Sequence, residues 1–381
     1  MRLLHVLASV DPRDGGPMEG VRQRGLRLQQ LGHSVEVVAI DDPAASFVQG
    51  FPLKVHAVGP PRGSYRYSPA LVPWLKANAA KYDAVVVHGL WQYHGFAARR
   101  VLTSLKLPYF VFTHGMLDPW FKRTYPRKHL KKWLYWPWGD YRVLRDARAV
   151  LFTSEEERLQ ARRSFWLYAA HERVVAYGTS TPPDDSQALR DVYLAAHPRL
   201  RGRRIFLFLG RIQEKKGCDL LVRAFARVAS LDPTLQLVIA GPDQTGWVST
   251  LTELARGLNI ADRVSWPGML QDAMKWGAFY SADAFVLPSH QENFGIAVAE
   301  ALACGVPALI SDKVNIWREV QSAGAGLVAA DTIEGTANLL TGWLSLSSDE
   351  RQAMRHAARG LFHRRYTVDA MAQDLLDVIA A

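Results

Sequence analysis

At 381 residues the chain is long for a single hydrophobic core and suits two domains. With 49% hydrophobic and 22% charged residues it has an ordinary globular balance, and no apolar run reaches the ~20 residues that would cross a bilayer. A formal charge of +10 favours anionic partners (nucleic acid, an acidic membrane face or phosphorylated substrates) without choosing among them. Cys218 and Cys304 stand apart, outside any C-x-x-C pair, so there is neither a disulfide framework nor a zinc site, and a cytoplasmic location is expected.

The first ten residues have one positive charge and a short apolar stretch, as a signal peptide would. His5 interrupts that run, and Asp11-Pro12-Arg13-Asp14 follows with no small-residue cleavage pattern, so the segment reads as a buried first strand. Further strands are predicted at Val35–Ile40, Ala84–Val87, Tyr109–Phe112 and Ala149–Phe152. A second series follows at Ile205–Leu209, Leu237–Ala240, Arg263–Trp266, Ala284–Leu287 and Ala308–Ile310. Helical spacing lies between them, as in Glu19–Leu31, Asp219–Ser230 and Ile296–Cys304, and returns at the carboxyl end of the chain. Apolar strands alternating with helices indicate two parallel, doubly wound α/β sheets. The turn-rich stretch Tyr177–Asp185 separates the two series. Ligands of such sheets bind at the carboxyl ends of the strands, so those loops are read most closely.

Three loops of the second half carry signal. In Gly210-Arg-Ile-Gln-Glu-Lys-Lys-Gly217, between a strand and a helix, Gly210 permits a tight turn. Arg211 and Lys216 add two cations where a helix amino end also points, a suitable seat for a diphosphate; a solvated surface loop is the bland alternative. Pro288-Ser-His-Gln-Glu-Asn-Phe-Gly295 opens the next helix, so the amides around Asn293, Phe294 and Gly295 are expected to meet phosphate or sugar oxygens. Glu300 lies two turns on, inside Val-Ala-Glu-Ala-Leu-Ala, where an acid is costly unless it is paired or binds hydroxyls. Otherwise Glu292 and Glu300 are solvated glutamates of a capped helix. Val264–Leu270 turns sharply at a third strand end, and Met269 there is placed to offer its backbone to a base.

Gly-Arg-x5-Gly with Lys216, followed by Pro-Ser-x-x-Glu-x-Phe-Gly and Glu-Ala-x-Ala-x-Gly-x-Pro, resembles glycosyltransferase family 4, the group 1 glycosyltransferases. The resemblance is strong over residues 204–312. It implies retaining enzymes of the GT-B fold, two Rossmann-like doubly wound domains facing across a cleft. By that resemblance residues 1–182 form an acceptor-binding domain and residues 183–362 a nucleotide-sugar-binding domain. Residues 363–381 would be a helix returning to the first domain. Arg211 and Lys216 would hold the donor diphosphate. Glu292 would contact the donor sugar together with the Phe294 and Gly295 amides, and Glu300 the ribose hydroxyls. The chain contains no Asp-x-Asp, which argues against a metal-held diphosphate, so no metal or other cofactor is expected. Fixed cations and N–H dipoles would then stabilise the leaving nucleoside diphosphate.

The first half resembles the family less closely. Gly15-Gly16-Pro17 follows the first strand, and in the family such a loop approaches the donor phosphate. His88 and His114 each sit in a His-Gly at a strand's carboxyl end and are expected to face the cleft. The family commonly places a histidine after the His114 strand, near the donor's reacting carbon, although a framework histidine is the plainer reading. No strong nucleophile stands out beyond Glu292. The resemblance implies front-face return of the acceptor, with a donor phosphate oxygen taking its proton.

Residues 120–148 hold nine Lys and Arg, two acids and eight aromatics. Trp and Tyr favour the bilayer interface and cations favour anionic lipid, which suits an enzyme peripheral on the inner membrane face. The alternative is a helix that packs its aromatics inward. Nothing matches a nucleic-acid reader, so no nucleic-acid partner is expected. His114-Gly-Met-Leu-Asp-Pro-Trp120 and the basic aromatic segment resemble family members for cell-surface or exopolysaccharide assembly, and that resemblance implies transfer of a hexose-type sugar from a UDP- or GDP-sugar to a glycan or lipid-linked acceptor. A nucleotide-sugar epimerase would need no second acceptor, and a glycogen-type phosphorylase would need a far longer chain. A non-catalytic membrane scaffold would need no donor site.

Overall fold

The computed structural model describes the backbone of residues 1–381 and every side chain except that of Asp14. Contacts divide the chain into two units, Met1–Gly178 with Val368–Ala381, and Thr179–Thr367. The breaks fall at 178, inside the turn-rich stretch Tyr177–Asp185, and at 367, against the expected 182 and 362. Thr179 donates its N–H to the Tyr366 carbonyl at 2.9 Å, which ties both ends of the second unit together.

The first unit is built on β1 (Arg2–Leu7), β2 (Ser34–Ala39), β3 (Lys54–Ala57), β4 (Ala84–His88), β5 (Tyr109–Phe112), β6 (Ala149–Phe152) and β7 (Glu172–Val174). All pairings are parallel, in the order β3-β2-β1-β4-β5-β6-β7. The sheet is covered on both faces. One core gathers Leu4, Val6, Val85, Val87 and Trp136. The other gathers Leu3, Val37, Val86, Phe110 and Phe112 with Ala372 and Leu375 of the helix Val368–Ala380. The opening residues are therefore a buried strand.

The second unit repeats the plan with β8 (Arg204–Leu209), β9 (Leu235–Ala240), β10 (Val264–Gly268), β11 (Ala284–Leu287), β12 (Ala308–Ser311) and β13 (Gly326–Ala329). Their parallel order is β10-β9-β8-β11-β12-β13. In each sheet the order reverses beside the first strand, between β1 and β4 and between β8 and β11. Doubly wound sheets bind their ligands at such switch points, and in the second unit the loops leaving β8 and β11 are the two motif loops.

Three strands lie outside the predicted set: β3, β7 and β13. All are sheet edges and mostly half-buried, whereas β4, β5, β6, β9, β11 and β12 are buried throughout. These three edge strands contribute no continuous apolar run, so periodicity misses them.

The helices Ser186–Ala196 and Asp272–Ser281 pack closely in the second unit. A Cβ on Gly277 would lie 2.3 Å from the Leu189 carbonyl oxygen and 2.6 Å from the Tyr193 Cβ. Backbone cannot yield as a flexible side chain can, so Gly277→Ala is expected to destabilise the protein by about 1–3 kcal/mol. Urea unfolding measures it, and a midpoint equal to wild type would contradict this packing.

Candidate functional site

The site of the second unit is assembled by glycines that let loops cross backbone to backbone. After β8, the Gly210 N–H donates to the Ala240 carbonyl at 2.9 Å. Gly241 lies so close that its Cβ would fall 1.8 Å from the Gly210 carbonyl oxygen. The loop then makes one turn, Glu214–Lys216, and passes through Gly217 in a left-handed conformation at φ 67° into the helix Cys218–Val228. A Cβ on Gly217 would meet the Pro288 carbonyl oxygen at 2.3 Å. This approach brings the loop after β8 onto the loop after β11. The His290 N–H donates to the Lys215 carbonyl at 2.8 Å. A third loop braces the second: Glu292 N–H donates to the Lys313 carbonyl and Asn315 N–H to the Glu292 carbonyl, both at 3.0 Å.

Lys216 and Glu292, distant in sequence, form an ion pair here. Burial first, then the neighbouring cations Lys215 and Arg211, pushes the Lys216 ammonium down to about 7. The Glu292 carboxylate favours the charged form. Arg211 is exposed, with no ion-pair partner among the described residues. Cys218, just past the loop, is a buried thiol pushed up to about 12 by burial and serves packing.

Gly295 caps the helix Ile296–Ala303 at φ 74°, with no side chain bonded to the helix end. Val298 N–H donates to the Gly295 carbonyl at 2.8 Å, and a Cβ on Gly295 would lie 3.3 Å from Glu292 Cγ, so the start of this helix, where anions can bind, stands beside the Lys216–Glu292 pair. Phe294 is buried with its ring edge-on to Tyr366, 5.4 Å between centroids. The Asn293 side-chain oxygen accepts from Asn315 Nδ2 at 3.3 Å. Glu300 is buried and takes a bond from Lys275 Nζ at 2.9 Å, while that ammonium lies 4.2 Å from the Trp276 ring centroid. Glu300 is therefore a paired acid. Met269, on the loop after β10, is 62% exposed. That loop is tied to the others by the Gly241 N–H, which donates to the Gly268 carbonyl at 2.8 Å.

Gly16 and His114 belong to the first unit and form a group around Tyr177. The Tyr177 hydroxyl donates to the Gly16 carbonyl at 2.8 Å, and its ring stands edge-on to His114 at 6.2 Å. His114 has a positive φ of 49°, a strained position for a histidine. Glu157 holds it there, accepting from Thr113 Oγ1 at 2.7 Å and from the Gly115 N–H at 2.6 Å. His88, expected at an open strand end, is buried instead. Its Nε2 meets His5 Nδ1 at 2.8 Å and its Nδ1 meets His114 Nε2 at 3.0 Å.

Sheet register explains this row. His5 pairs with Val86, two residues before His88, and His88 pairs with Phe112, two residues before His114. Each step therefore moves one strand over and two residues along, on one face. Burial first, then Arg24, lowers His5 and His114 to about 3, and burial lowers His88 well below its ordinary value. All three are neutral at pH 7, each with one ring proton, so their tautomers are coupled. Arg24 is itself fully buried, its guanidinium 4.5 Å from the Phe112 ring centroid and without a hydrogen bond among the described residues.

The residues missed by motif reading are the supports: Lys275, Tyr177, Glu157, His5 and Arg24. Glu157 left a signal, since Ser154-x-x-Glu157 has capping-box spacing. Ser154 does cap that helix, but the glutamate turns instead to Thr113, Gly115 and Thr153.

The basic, aromatic stretch divides between the two expectations. Trp136 is buried, stacked on Phe165 at 4.3 Å. The helix Pro126–Tyr135 buries no residue, and Leu130, Trp133, Leu134, Trp138 and the neighbouring Trp166 are exposed, Trp138 and Trp166 to 68%. Leu130, Leu134 and Trp138 follow one another at intervals of four, with Arg127 and Lys131 also exposed. No helix of the described residues is long and apolar enough to cross a membrane. Nor is any group of three or more His, Cys, Asp or Glu among them placed to hold a metal ion.

Two family models match the chain: "Glycosyl transferase 4-like domain" over residues 15–178 and "Glycosyl transferases group 1" over residues 190–361. The chain is 30% identical to a D-inositol 3-phosphate glycosyltransferase of Rhodococcus opacus, over 62% of this chain and 54% of that protein. It thus spans about half the length of that relative and of those most like it. Mannosylfructose-phosphate synthase of Agrobacterium fabrum is 26% identical over 96% of this chain and 86% of its own. Anabaena HepE, crystallised with UDP and glucose, superposes with a TM-score of 0.77 over the whole of both chains at 16% identity, a likeness of fold.

The Lys216–Glu292 pair generates a direct test. Glu292→Gln removes the carboxylate that favours the ammonium, so the Lys216 titration midpoint should fall below that of wild type. NMR titration of the Lys216 Cε resonance, assigned with Lys216→Arg, reads it. An unchanged or higher midpoint would show that the pair does not set the charge.

Proposed function

Because the chain belongs to the group 1 glycosyltransferases of family 4, we propose that it moves a hexose-type sugar from a UDP- or GDP-sugar to a hydroxyl acceptor. One observation carries this reading: Lys216 and Glu292 meet beside an uncapped helix end at the switch point of the second sheet. The diphosphate sits on the Phe294–Gly295 amides, with Lys216 and Arg211 as its cations. As the sugar–phosphate bond breaks, negative charge grows on the leaving phosphate, and fixed positive groups lower that barrier. A lysine poised by burial and carboxylate together gains most from an arriving dianion. Glu300 accepts from the ribose hydroxyls, with Lys275 as the counter-charge that keeps it ionised. Glu292 binds the donor sugar once the diphosphate takes Lys216.

Configuration is retained by return of the acceptor on the leaving-group face, its proton passing to a donor phosphate oxygen. His114 and Gly16 keep the roles the family resemblance implies, contact with the donor sugar and with the phosphate. The His5–His88 row fixes which His114 nitrogen carries the proton. The two cations serve where other transferases place a metal ion, so the reaction proceeds without one.

The acceptor is a glycan or lipid-linked glycan in cell-surface or exopolysaccharide assembly, met at the cytoplasmic face of an anionic membrane. The outward stripe Leu130, Leu134 and Trp138, flanked by Arg127 and Lys131, supports this. Apolar side chains insert at headgroup depth while each nearby cation adds about 1 kcal/mol on an anionic surface.

Calorimetry against UDP-, GDP- and ADP-sugars in EDTA tests the donor. One class should bind, and Lys216→Ala should abolish that binding, a loss greater than the lowered stability from leaving Glu292 unpaired explains. Binding that persists undiminished in Lys216→Ala refutes the diphosphate seat. With acceptor present, turnover should be unaffected by EDTA; a loss restored by a divalent ion would refute the metal-free reaction. On phosphatidylserine vesicles, Leu134→Ser with Lys131→Ser should reduce sedimentation of the protein at least severalfold, and equal sedimentation would remove the membrane surface.

A further inference from the structure

The second sheet has a polar cavity at its other end. Gly305 and Val306 lead into β12, and a half-open cavity of about 200 Å³ lies beside them, at the amino-terminal edge of the strands. The loops that hold Lys216 and Glu292 leave the carboxyl edge, so this is not the donor seat. One wall is a stripe of the helix Ser348–Arg365: Gln352, Arg355, His356 and Arg359, spaced i, i+3, i+4 and i+7. The helix Ser186–Ala196 faces it with Gln187 and Arg190. Three guanidiniums and an imidazole line the cavity, and no carboxylate does.

Of the acids nearby, Asp184 acts on Tyr280 without lining the cavity, and Asp283 is already committed. Asp283 Oδ2 takes Arg204 Nη2 at 2.8 Å and Trp343 Nε1 at 2.9 Å, and its backbone carbonyl and Oδ1 take Arg355 Nη2 at 2.9 and 3.2 Å. Asp185 caps its own helix, accepting from the Ala188 N–H at 3.2 Å. Arg190 and Arg359 have no ion-pair partner among the described residues. Against them stands the carboxyl end of the helix Ile296–Ala303, equivalent to roughly half a negative charge. Two unpaired guanidiniums outweigh it several times over. Arg359 is also placed rather than loose: its stem lies across Gly305, where a Cβ would come 2.4 Å from Nε.

We propose that this cavity binds the phosphate group of a small phosphorylated ligand, clamped between Arg190 and Arg359. Guanidinium forks match phosphate oxygens in pairs, and the Gln187 and Gln352 amides beside them suit the hydroxyls of a sugar carrying that phosphate. The volume admits a phosphate with one small ring and is below that of ordinary drug-sized sites. The site is independent of the donor reading, since it shares no residue with the donor loops.

Calorimetry of the full chain with saturating UDP present keeps phosphate out of the donor seat. Inorganic phosphate and glucose 6-phosphate are titrated separately, with glucose as the uncharged control. Wild type should bind a phosphate probe, more weakly as salt rises. Arg190→Ala with Arg359→Ala should weaken it by at least about tenfold, in line with loss of charge-assisted bonds. Both side chains are exposed, so the double variant should melt like wild type. The same probe should bind Lys216→Ala without UDP as it binds wild type, which separates this site from the donor site. Tighter binding of glucose 6-phosphate identifies a sugar phosphate as the ligand, and equal binding identifies free phosphate. Absence of binding by either probe, or equal binding by the double variant, overturns the proposal.

Discussion

The contact between the Gly217 backbone and the Pro288 carbonyl is the constraint on which the proposed donor site depends. At φ 67° and with 2.3 Å between that oxygen and any Cβ, the position admits no side chain without moving one loop off the other. The closeness sets where the helix Cys218–Val228 begins, and therefore where Lys216, one residue earlier, delivers its ammonium. It also fixes the Pro288–Gly295 loop, which the 313–315 loop braces from the opposite side. Gly241 does the same for Gly210 on the far side of β8. The site is thus a stack of backbones, and its charged side chains are held by elements that cannot slide independently.

Within that frame the buried charges are balanced in pairs: Lys216 with Glu292 and Lys275 with Glu300. Removing one partner of a buried pair leaves an uncompensated charge, which costs more than the pair's net attraction contributes. On the proposed donor role, a diphosphate would offer Lys216 a stronger anion at the same place, free Glu292 for hydroxyls and so drive the rearrangement of a resting pair. In the first unit the histidine row follows another rule. His5, His88 and His114 are neutral and hydrogen-bonded in a row, so burial there is met by sharing protons rather than by pairing charges.

What could be read from the sequence follows from where information is local. The central strands announce themselves because both faces are buried, and the motif loops because glycine, cation and carboxylate recur at fixed offsets between strand and helix. The positions of Arg211, Lys216, Glu292 and Glu300 were legible for that reason. Their partners were not. Lys275 lies on another helix, and nothing in Met274-Lys-Trp276 says that its ammonium turns to Glu300. The histidine row is invisible residue by residue, because it exists only once β1, β4 and β5 lie side by side in register. Edge strands such as Lys54–Ala57 lack the apolar run that marks a centre. Composition singled out residues 120–148, yet only packing separates Trp136, inside, from Trp133 and Trp138, outside.

Whether Lys216 exchanges Glu292 for a nucleoside diphosphate is decided by a crystal structure with UDP, grown in EDTA. The diphosphate should lie on the Phe294–Gly295 amides, with a phosphate oxygen within hydrogen-bond distance of Lys216 Nζ and the ribose hydroxyls on Glu300. Nucleotide bound elsewhere, or bound there with Lys216 still paired to Glu292, would contradict that exchange.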